Sequence, residues 1–188
     1  VRNEFVMEDV KAAIQKGRTP LVLTTRTAHV KVLAQMLMPF ADHVIQLIGA
    51  DSAKEKRLAL QNLQSIPTSE SLVIVATGKY VGEGFDYPRL DTLFLTMPIA
   101  WKGNVEQYAG RLHREYEGKS EVYIYDYVDI RVPLCDSMYR KRLKGYIKAG
   151  YGKNVTSLVP DKNPQELIYE QNNYEAAFRN DLAKAKHS

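Results

Sequence analysis

The chain alternates between two kinds of segment, and this alternation is the feature that most limits its fold. Five short runs rich in leucine, isoleucine and valine are separated by stretches in which apolar residues recur with helical spacing. Runs that are apolar throughout indicate strands buried on both faces, as in parallel sheets covered by helices. The pattern therefore predicts a doubly wound α/β domain whose strands present their carboxyl ends to ligands. The predicted strands are 21–25, 43–48, 72–76, 92–97 and 122–127, and the predicted helices are 7–16, 28–38, 52–64 and 107–114.

Composition narrows the class of protein further. The chain has 188 residues, of which 45% are hydrophobic, and these are enough for one good-sized core. Its net charge of +4 is compatible with an anionic partner but does not identify one. A single cysteine excludes an internal disulfide, and four scattered histidines lack the spacing of metal ligands. No signal peptide or membrane-length apolar run is visible, so we expect a cytoplasmic protein with no metal site in this chain and no membrane partner.

One octapeptide, residues 107–114, has the composition of a phosphate-binding surface. On a helix, Gln107, Gly110, Arg111 and Arg114 fall at positions i, i+3, i+4 and i+7 and share one face. Arginine offers a planar set of donors suited to phosphate oxygens, and the glycine allows a close approach. The face is therefore suited to a polyphosphate, although a solvated polar helix face is an alternative interpretation.

A glycine-rich loop follows the third predicted strand, over residues 77–88. Gly78, Gly82 and Gly84 allow backbone to approach a ligand closely, and backbone N–H groups in such loops bind anions. Asp86 adds an acceptor for a hydroxyl group. The alternative is an ordinary connection between strands, in which the glycines serve only the turns.

The order of these segments resembles a known family. A strand, Thr77, the spacing Gly82-x-Gly84-x-Asp86-x-Pro88, another strand and then the 107–114 helix resemble motif V followed by motif VI of superfamily 2 helicases and translocases. Residues 20–26 resemble motif IV, and the similarity extends over about residues 15–130. The resemblance implies a C-terminal, or second, RecA-like domain, with a parallel sheet between layers of helices.

The resemblance also implies roles on the nucleotide side. Arg114 would be an arginine finger, with Arg111 as its companion on the γ-phosphate of ATP, and Gln107 would hold the nucleotide or the attacking water. The residues expected to line the nucleotide are Gly84, Asp86 near the ribose, and Gly110.

For nucleic acid, the resemblance implies that Thr77 would contact the backbone, as would Thr25 and Arg26 at the end of the first strand. Contacts of this kind hold a strand without reading its sequence. For Thr25 and Arg26, a strand end capped by polar residues is the alternative. The expected partner is nucleic acid, with DNA favoured over RNA.

The sequence lacks the parts that would bind ATP and Mg²⁺ on their own. Residues 118–120 end like a P-loop, but His113 occupies the first glycine position and a helix precedes the segment where a strand is required. We therefore interpret residues 118–120 as a turn. No Asp-Glu pair suited to a Walker B magnesium site is present either. The resemblance implies that a preceding RecA-like domain supplies both motifs, so we expect this chain alone to be inactive.

Beyond residue 130 the pattern changes. Residues 1–130 are predicted to form the RecA-like domain and residues 131–153 a basic extension, with a helix over 136–148 that either follows a phosphate backbone or is simply solvated. Residues 154–188 are predicted to be a linker and an amphipathic helix over 173–186, with Tyr174, Phe178 and Leu182 at positions i, i+4 and i+8. That helix weakly resembles the segment leading into a phospholipase-D-like nuclease domain.

The sequence thus predicts the C-terminal motor domain of an ATP-dependent helicase or translocase. The first alternative is a stand-alone α/β module that binds a nucleotide or nucleic acid and has no motor activity. A second alternative keeps the motor fold but uses it for remodelling or translocation without strand separation.

Overall fold

A computed structural model gives the fold and describes residues 2–82, 85–97, 104–129, 132–148, 151–157 and 173–181. The strands are β1 (Pro20–Thr24), β2 (His43–Leu47), β3 (Leu72–Thr77), β4 (Thr92–Leu95), β5 (Glu121–Asp129), β6 (Gly152–Ser157) and β7 (Asn173–Asp181). The helices are α1 (Arg2–Gln15), α2 (Thr27–Leu37), α3 (Ala53–Ser65), α4 (Gly78–Gly82), α5 (Asn104–Leu112) and α6 (Pro133–Lys148).

The strands form one sheet in the order β2-β3-β1-β4-β5-β7-β6. The first five strands of that order are parallel, and β7 and β6 are antiparallel additions at the β5 edge. In register, Val22 of β1 lies between Val75 of β3 and Phe94 of β4. The five-stranded parallel part, flanked by helices, is the predicted α/β RecA-like arrangement, and that prediction is confirmed.

Helices cover both faces of the parallel sheet. Because side chains alternate along a strand, Leu21 and Leu23 of β1 point into one core while Val22 points into the other. The first core also contains residues of α3, α4, α5 and α6, whereas the second contains residues of α1 and α2. All five residues of β1 are buried, which explains why apolar and polar residues do not alternate along the strand and why Thr24, at its end, is its one polar residue.

Two helix ends show how local sequence fixes these layers. Gly17 adopts a φ of 73° just after α1, where a left-handed residue closes a helix, and the Arg18 N–H donates to the Ala13 carbonyl at 3.1 Å. At the start of α3, the Ser52 hydroxyl accepts from the Glu55 N–H while the Glu55 carboxylate accepts from the Ser52 N–H. This reciprocal capping satisfies two backbone donors that would otherwise lack helical partners.

The predicted strands match β1–β5 to within two residues at each end. The prediction for the last segment is wrong, because residues 152–157 and 173–181 form β6 and β7 instead of a linker and a helix. The i, i+4, i+8 spacing of Tyr174, Phe178 and Leu182 is also a multiple of two, so it fits a strand as well as a helix. The open edge of β5 supplies a pairing partner that the sequence pattern could not reveal. The domain division at residue 130 stays a prediction.

Within the described part of the chain, no helix combines the length and apolar character needed to cross a membrane.

Candidate functional site

Helix α5 is fixed against the sheet by its apolar side. Tyr108, Ala109 and Leu112 are buried in the first core. The Tyr108 hydroxyl donates to the Gly78 carbonyl at 2.9 Å, which ties α5 to the start of α4. A Cβ added at Gly78 would lie 2.7 Å from the Tyr108 oxygen, so this contact requires glycine.

The other side of α5 lines an open pocket of about 340 Å³. Its lining residues are Gln107, Gly110, Arg111, His113 and Arg114. The structure therefore brings together the four polar and glycine residues that the sequence placed on one face. A Cβ built on Gly110 meets no atom within 4 Å, so the glycine faces open space.

Arg114 reaches this pocket in a different way from that expected. Helix α5 ends at Leu112, so the prediction of a helix through Arg114 is wrong for the last two residues. The His113 N–H donates to the Gly110 carbonyl at 3.3 Å, a tighter turn that ends the helix. Arg114 thus lies two residues beyond the end of α5, in a segment without regular secondary structure, and lines the pocket from there.

Asp86 joins the site through Arg114. The Arg114 Nε lies 3.4 Å from Asp86 Oδ1, and the two side chains are 56% and 40% exposed. The structure therefore places an expected ribose ligand beside the expected arginine finger. Gly84, the third predicted nucleotide residue, lies outside the described residues.

Lys119 is a member of this site that sequence reasoning missed. It belongs to the segment 118–120, and the prediction of a turn there is confirmed by Gly118, whose φ is 79°. The Lys119 ammonium donates to the carbonyls of Arg114 and Pro88, at 2.8 and 2.9 Å. Because residues 118–120 do not form a P-loop, the sequence gives Lys119 no role. Its two acceptors are backbone carbonyls, which no sequence pattern identifies.

A buried network lies behind the pocket. The His113 ring hydrogen-bonds the Tyr151 hydroxyl and packs edge-on against that ring, and Tyr151 packs against Tyr146 in the same way. The Tyr146 hydroxyl donates to Asp126, which also accepts two bonds from the Arg142 guanidinium at 2.6 and 2.8 Å. The helix predicted over 136–148 is confirmed as α6, but its Arg142 is not part of a solvated basic face.

Two pKa shifts accompany this arrangement. Burial, followed by the positive charge of Lys119, lowers the pKa of His113 below its usual value of 6.5. Burial is also the main cause that raises the pKa of Tyr146 well above 10.0, with Asp126 adding to it. We therefore expect a neutral imidazole and a protonated phenol near neutral pH.

The residues assigned to nucleic acid lie at the carboxyl ends of β1 and β3. Thr25 and Arg26 are exposed just after β1, and Thr24 is in register with Thr77. Thr77 itself is buried, and its hydroxyl accepts from the Gly49 N–H at 2.8 Å. One function of Thr77 is therefore to join the loops that follow β2 and β3.

Lys79 stands beside these residues and was not singled out by the sequence. A Cβ added at Gly49 would lie 2.9 Å from the Lys79 Cβ, so the loop after β2 packs closely against α4. Lys79 is exposed and carries a positive charge just after the carboxyl end of β3, as Arg26 does just after the carboxyl end of β1. In contrast, Pro88 and Lys119 precede β4 and β5, so the contact between Lys119 and Arg114 lies at the amino ends of these strands, whereas the sequence predicted ligands at the carboxyl ends.

Among the residues that the structure describes, no cluster of three or more histidine, cysteine, aspartate or glutamate side chains is suited to a metal ion.

Comparisons with known proteins agree with this fold. No protein-family model matches the chain. Over 175 residues the chain is 26% identical to the transcript termination protein of vaccinia virus (strain Ankara), and the match covers 92% of the chain but 32% of that protein. The chain thus spans about a third of the length of the curated relatives it matches.

Two solved structures share the fold at low identity. Helicase domain 2 of the DEAD-box protein Mss116p, bound to an RNA duplex, aligns with a TM-score of 0.52 at 12% identity, over 75% of this chain and 55% of that one. The C-terminal part of the Fun30 ATPase domain aligns with a TM-score of 0.50 at 14% identity, over 62% and 37%. These two structural matches show that a helicase C-terminal-like fold fits the chain.

Proposed function

We propose that this chain is the second RecA-like domain of an ATP-dependent superfamily 2 helicase or translocase. The observation that carries the proposal is the pocket in which Gln107, Arg111 and Arg114 meet beside Asp86. A motor domain needs such groups because it closes onto a nucleotide that another domain holds.

The pocket is suited to the terminal phosphates of ATP. Arg111 and Arg114 offer donors with no acceptor, and the glycine at position 110 leaves space for a phosphate to approach α5. In the proposed reaction the two guanidiniums stabilise charge that develops on the transferred phosphoryl group, and Gln107 orients the nucleotide or the attacking water. In this proposal Asp86 accepts a ribose hydroxyl once Arg114 has moved to the phosphates.

Arg114 must leave Asp86 in order to bind phosphate. Exposed ion pairs of this kind stabilise by only about 0–1 kcal/mol, because water competes for both charges. A polyphosphate carries several negative charges, so it competes well against a single carboxylate. The pair therefore holds Arg114 near the pocket at little cost to nucleotide binding.

We also propose that a preceding RecA-like domain of the same protein binds the rest of the nucleotide. That domain would supply the P-loop and the carboxylates that hold Mg²⁺, which neutralises phosphate charge when it is bound. Opening and closing of the two domains would then move the protein along one strand.

Nucleic acid is the proposed substrate, with DNA favoured over RNA. Thr25 and Arg26 are exposed just after the carboxyl end of β1, where they are available to phosphate oxygens. Thr77 contributes there through the loop that it fixes. Of the similar proteins, one is named for transcript termination and one was solved with an RNA duplex, so both nucleic acids belong in the test.

The test is ATP turnover of the full-length protein with single-stranded DNA, double-stranded DNA, RNA or none. We expect stimulation by the preferred strand and a loss of about a thousandfold in Arg114→Ala, as for other arginine fingers. Nucleic-acid binding by Arg114→Ala is expected to stay within about twofold of wild type.

The matched control is Arg140→Ala, which removes an exposed arginine that is also paired with an aspartate, Asp136. Its turnover at saturating nucleic acid is expected to equal that of wild type. Equal turnover of Arg114→Ala and wild type would overturn the assignment. Nucleic-acid binding without any turnover would instead favour the stand-alone module.

A further inference from the structure

Arg114 and Asp86 both lie in segments without regular secondary structure. Arg114 follows the end of α5, and Asp86 belongs to the residues between α4 and β4. Neither helix geometry nor strand pairing fixes one against the other, and their own ion pair is exposed and weak. Another contact is therefore needed to hold the backbone of the Arg114 segment against the Asp86 segment.

Lys119 makes that contact. Its ammonium donates to the Arg114 carbonyl at 2.8 Å and to the Pro88 carbonyl at 2.9 Å, so one group connects the two segments. Hydrogen bonds from a charged donor are about twice as strong as neutral ones. Arg89 holds the second segment from its other side, since its guanidinium donates to the Pro67 and Thr68 carbonyls.

We propose that Lys119 is a positioning residue, whose charge holds the Arg114 segment against the Asp86 segment so that the guanidinium faces the pocket. This inference rests on the proposed function of Arg114. Lys119 itself does not contact the phosphates. It acts through the backbone of Arg114, and the exposed face of α5 supplies the rest of the pocket.

The surroundings of Lys119 make its charge sensitive to mild alkali. Burial lowers the pKa of Lys119 from 10.5 to about 8, against the opposing effect of the Asp91 and Asp86 carboxylates. His113 is a further titratable neighbour: burial lowers its pKa, and the positive charge of Lys119 lowers it further. Above pH 8 the neutral amine keeps only weaker hydrogen bonds, so we expect turnover to fall there.

Folding stability changes in the opposite direction. Between pH 8 and 10.5 the unfolded chain keeps the Lys119 proton while the native chain has lost it, so native stability contributed by this group rises with pH. A purely structural role would make turnover follow stability. A positioning role predicts instead that turnover falls while this contribution to stability increases.

The experiment compares four forms of the full-length protein from pH 6.5 to 9.5: wild type, Lys119→Met, Lys119→Arg and Lys16→Met. Lys16 is exposed at the end of α1, on the other face of the sheet, and serves as the matched control. Turnover at saturating ATP and the melting temperature are measured at each pH.

We expect Lys119→Met to lower kcat by about tenfold to a hundredfold, the size of effect that a misplacement of about 1 Å produces. Its nucleic-acid affinity should be unchanged and its alkaline fall in turnover absent. Lys119→Arg keeps its charge, so we expect most of the turnover and no fall near pH 8. The inference would be overturned if Lys119→Met kept the kcat and the pH profile of wild type. If Lys119→Met does not fold, a fall in the turnover of Lys119→Arg near pH 8 would overturn it.

A second measurement needs no turnover. In protein labelled at arginine, the Arg114 side-chain resonance, assigned with Arg114→Lys, should shift with a midpoint near pH 8 in wild type and not in Lys119→Arg. Identical titrations would overturn the link between Lys119 and Arg114. If Arg114→Ala keeps full turnover, the proposed function fails; if Arg114→Ala loses it and Lys119→Met does not, only the role of Lys119 fails.

Discussion

Two arginine–aspartate pairs in this molecule have the same chemistry and opposite surroundings. Arg142 and Asp126 are 1% and 0% exposed and meet through two short hydrogen bonds, with a third bond to Asp126 from Tyr146. Arg114 and Asp86 are about half exposed and meet at a single distance of 3.4 Å. The first pair fixes α6 to β5, while the second can separate when a stronger anion arrives.

The difference shows that burial, more than residue type, decides what an ion pair does. A buried pair has no water to replace a lost partner, so removing one member leaves an uncompensated charge. An exposed pair loses little when it opens, and its arginine stays available to a ligand. This contrast predicts a set of outcomes, ordered here from the largest effect to the smallest.

The largest effect is expected for Arg142→Met. Asp126 would keep the bond from Tyr146 but lose both bonds from the guanidinium. We expect the free energy of unfolding to fall by about 3–5 kcal/mol, measured by chemical denaturation. Replacing both partners, as Arg142→Met with Asp126→Leu, should recover much of that loss. A loss below 1 kcal/mol in the single variant would remove the distinction between the two pairs.

Gly110→Ala tests the exposed region, in which α5 borders the pocket. Alanine is the better helix former, and its Cβ would meet no atom within 4 Å, so stability should rise by about 0.5–1 kcal/mol. The same methyl group occupies the space through which a phosphate would approach, so ATP turnover in the full-length protein should fall. Turnover and stability that increase together would mean that no ligand approaches α5 at this position.

Asp86→Asn removes the charge from the exposed pair. The expected change in the free energy of unfolding is less than about 1 kcal/mol and should shrink further in high salt. The test is denaturation at two salt concentrations beside Arg142→Met, whose effect should depend little on salt. A salt-independent loss as large as that of Arg142→Met would show that the Arg114 pair is also structural.

His113 connects the two regions, and its titration should have the smallest effect. Because burial lowers its pKa below 6.5, the unfolded chain binds a proton first as the pH falls. The stability that the neutral imidazole contributes is present above pH 6.5 and is lost as the pH drops below that value. His113→Gln should flatten this part of the stability profile, measured as melting temperature from pH 5 to 8. An unchanged slope would place His113 outside the buried network.

Much of the fold followed from the sequence because the parallel strands carry their own signature. A strand covered on both faces, such as β1 or β3, is apolar along nearly its whole length, with a single threonine at its end, and few other structures tolerate such runs. The antiparallel strands β6 and β7 lack that signature. Their pairing depends on the free edge of β5, which is a property of the assembled sheet.

The site was predictable in its composition and less so in its geometry. The spacing from Gln107 to Arg114 grouped the pocket residues correctly, although Arg114 reaches the pocket from beyond α5. The ion pair between Arg114 and Asp86 joins two segments that α5 and β4 separate in the sequence, so no local pattern encodes the pair. Arg142 lies on the helix predicted over 136–148, but its partner Asp126 lies on β5, so the local sequence does not reveal that this arginine is buried.

The bond from the Tyr108 hydroxyl to the Gly78 carbonyl has a mechanical consequence. One rigid ring spans from the segment after β3, beside the exposed cation Lys79, to the middle of the helix that carries Arg111. If nucleic acid binds that segment, as proposed, a displacement of the segment would reach α5 through the Tyr108 ring, because no flexible chain lies between them. The ring would then couple the binding of nucleic acid to the orientation of the arginines.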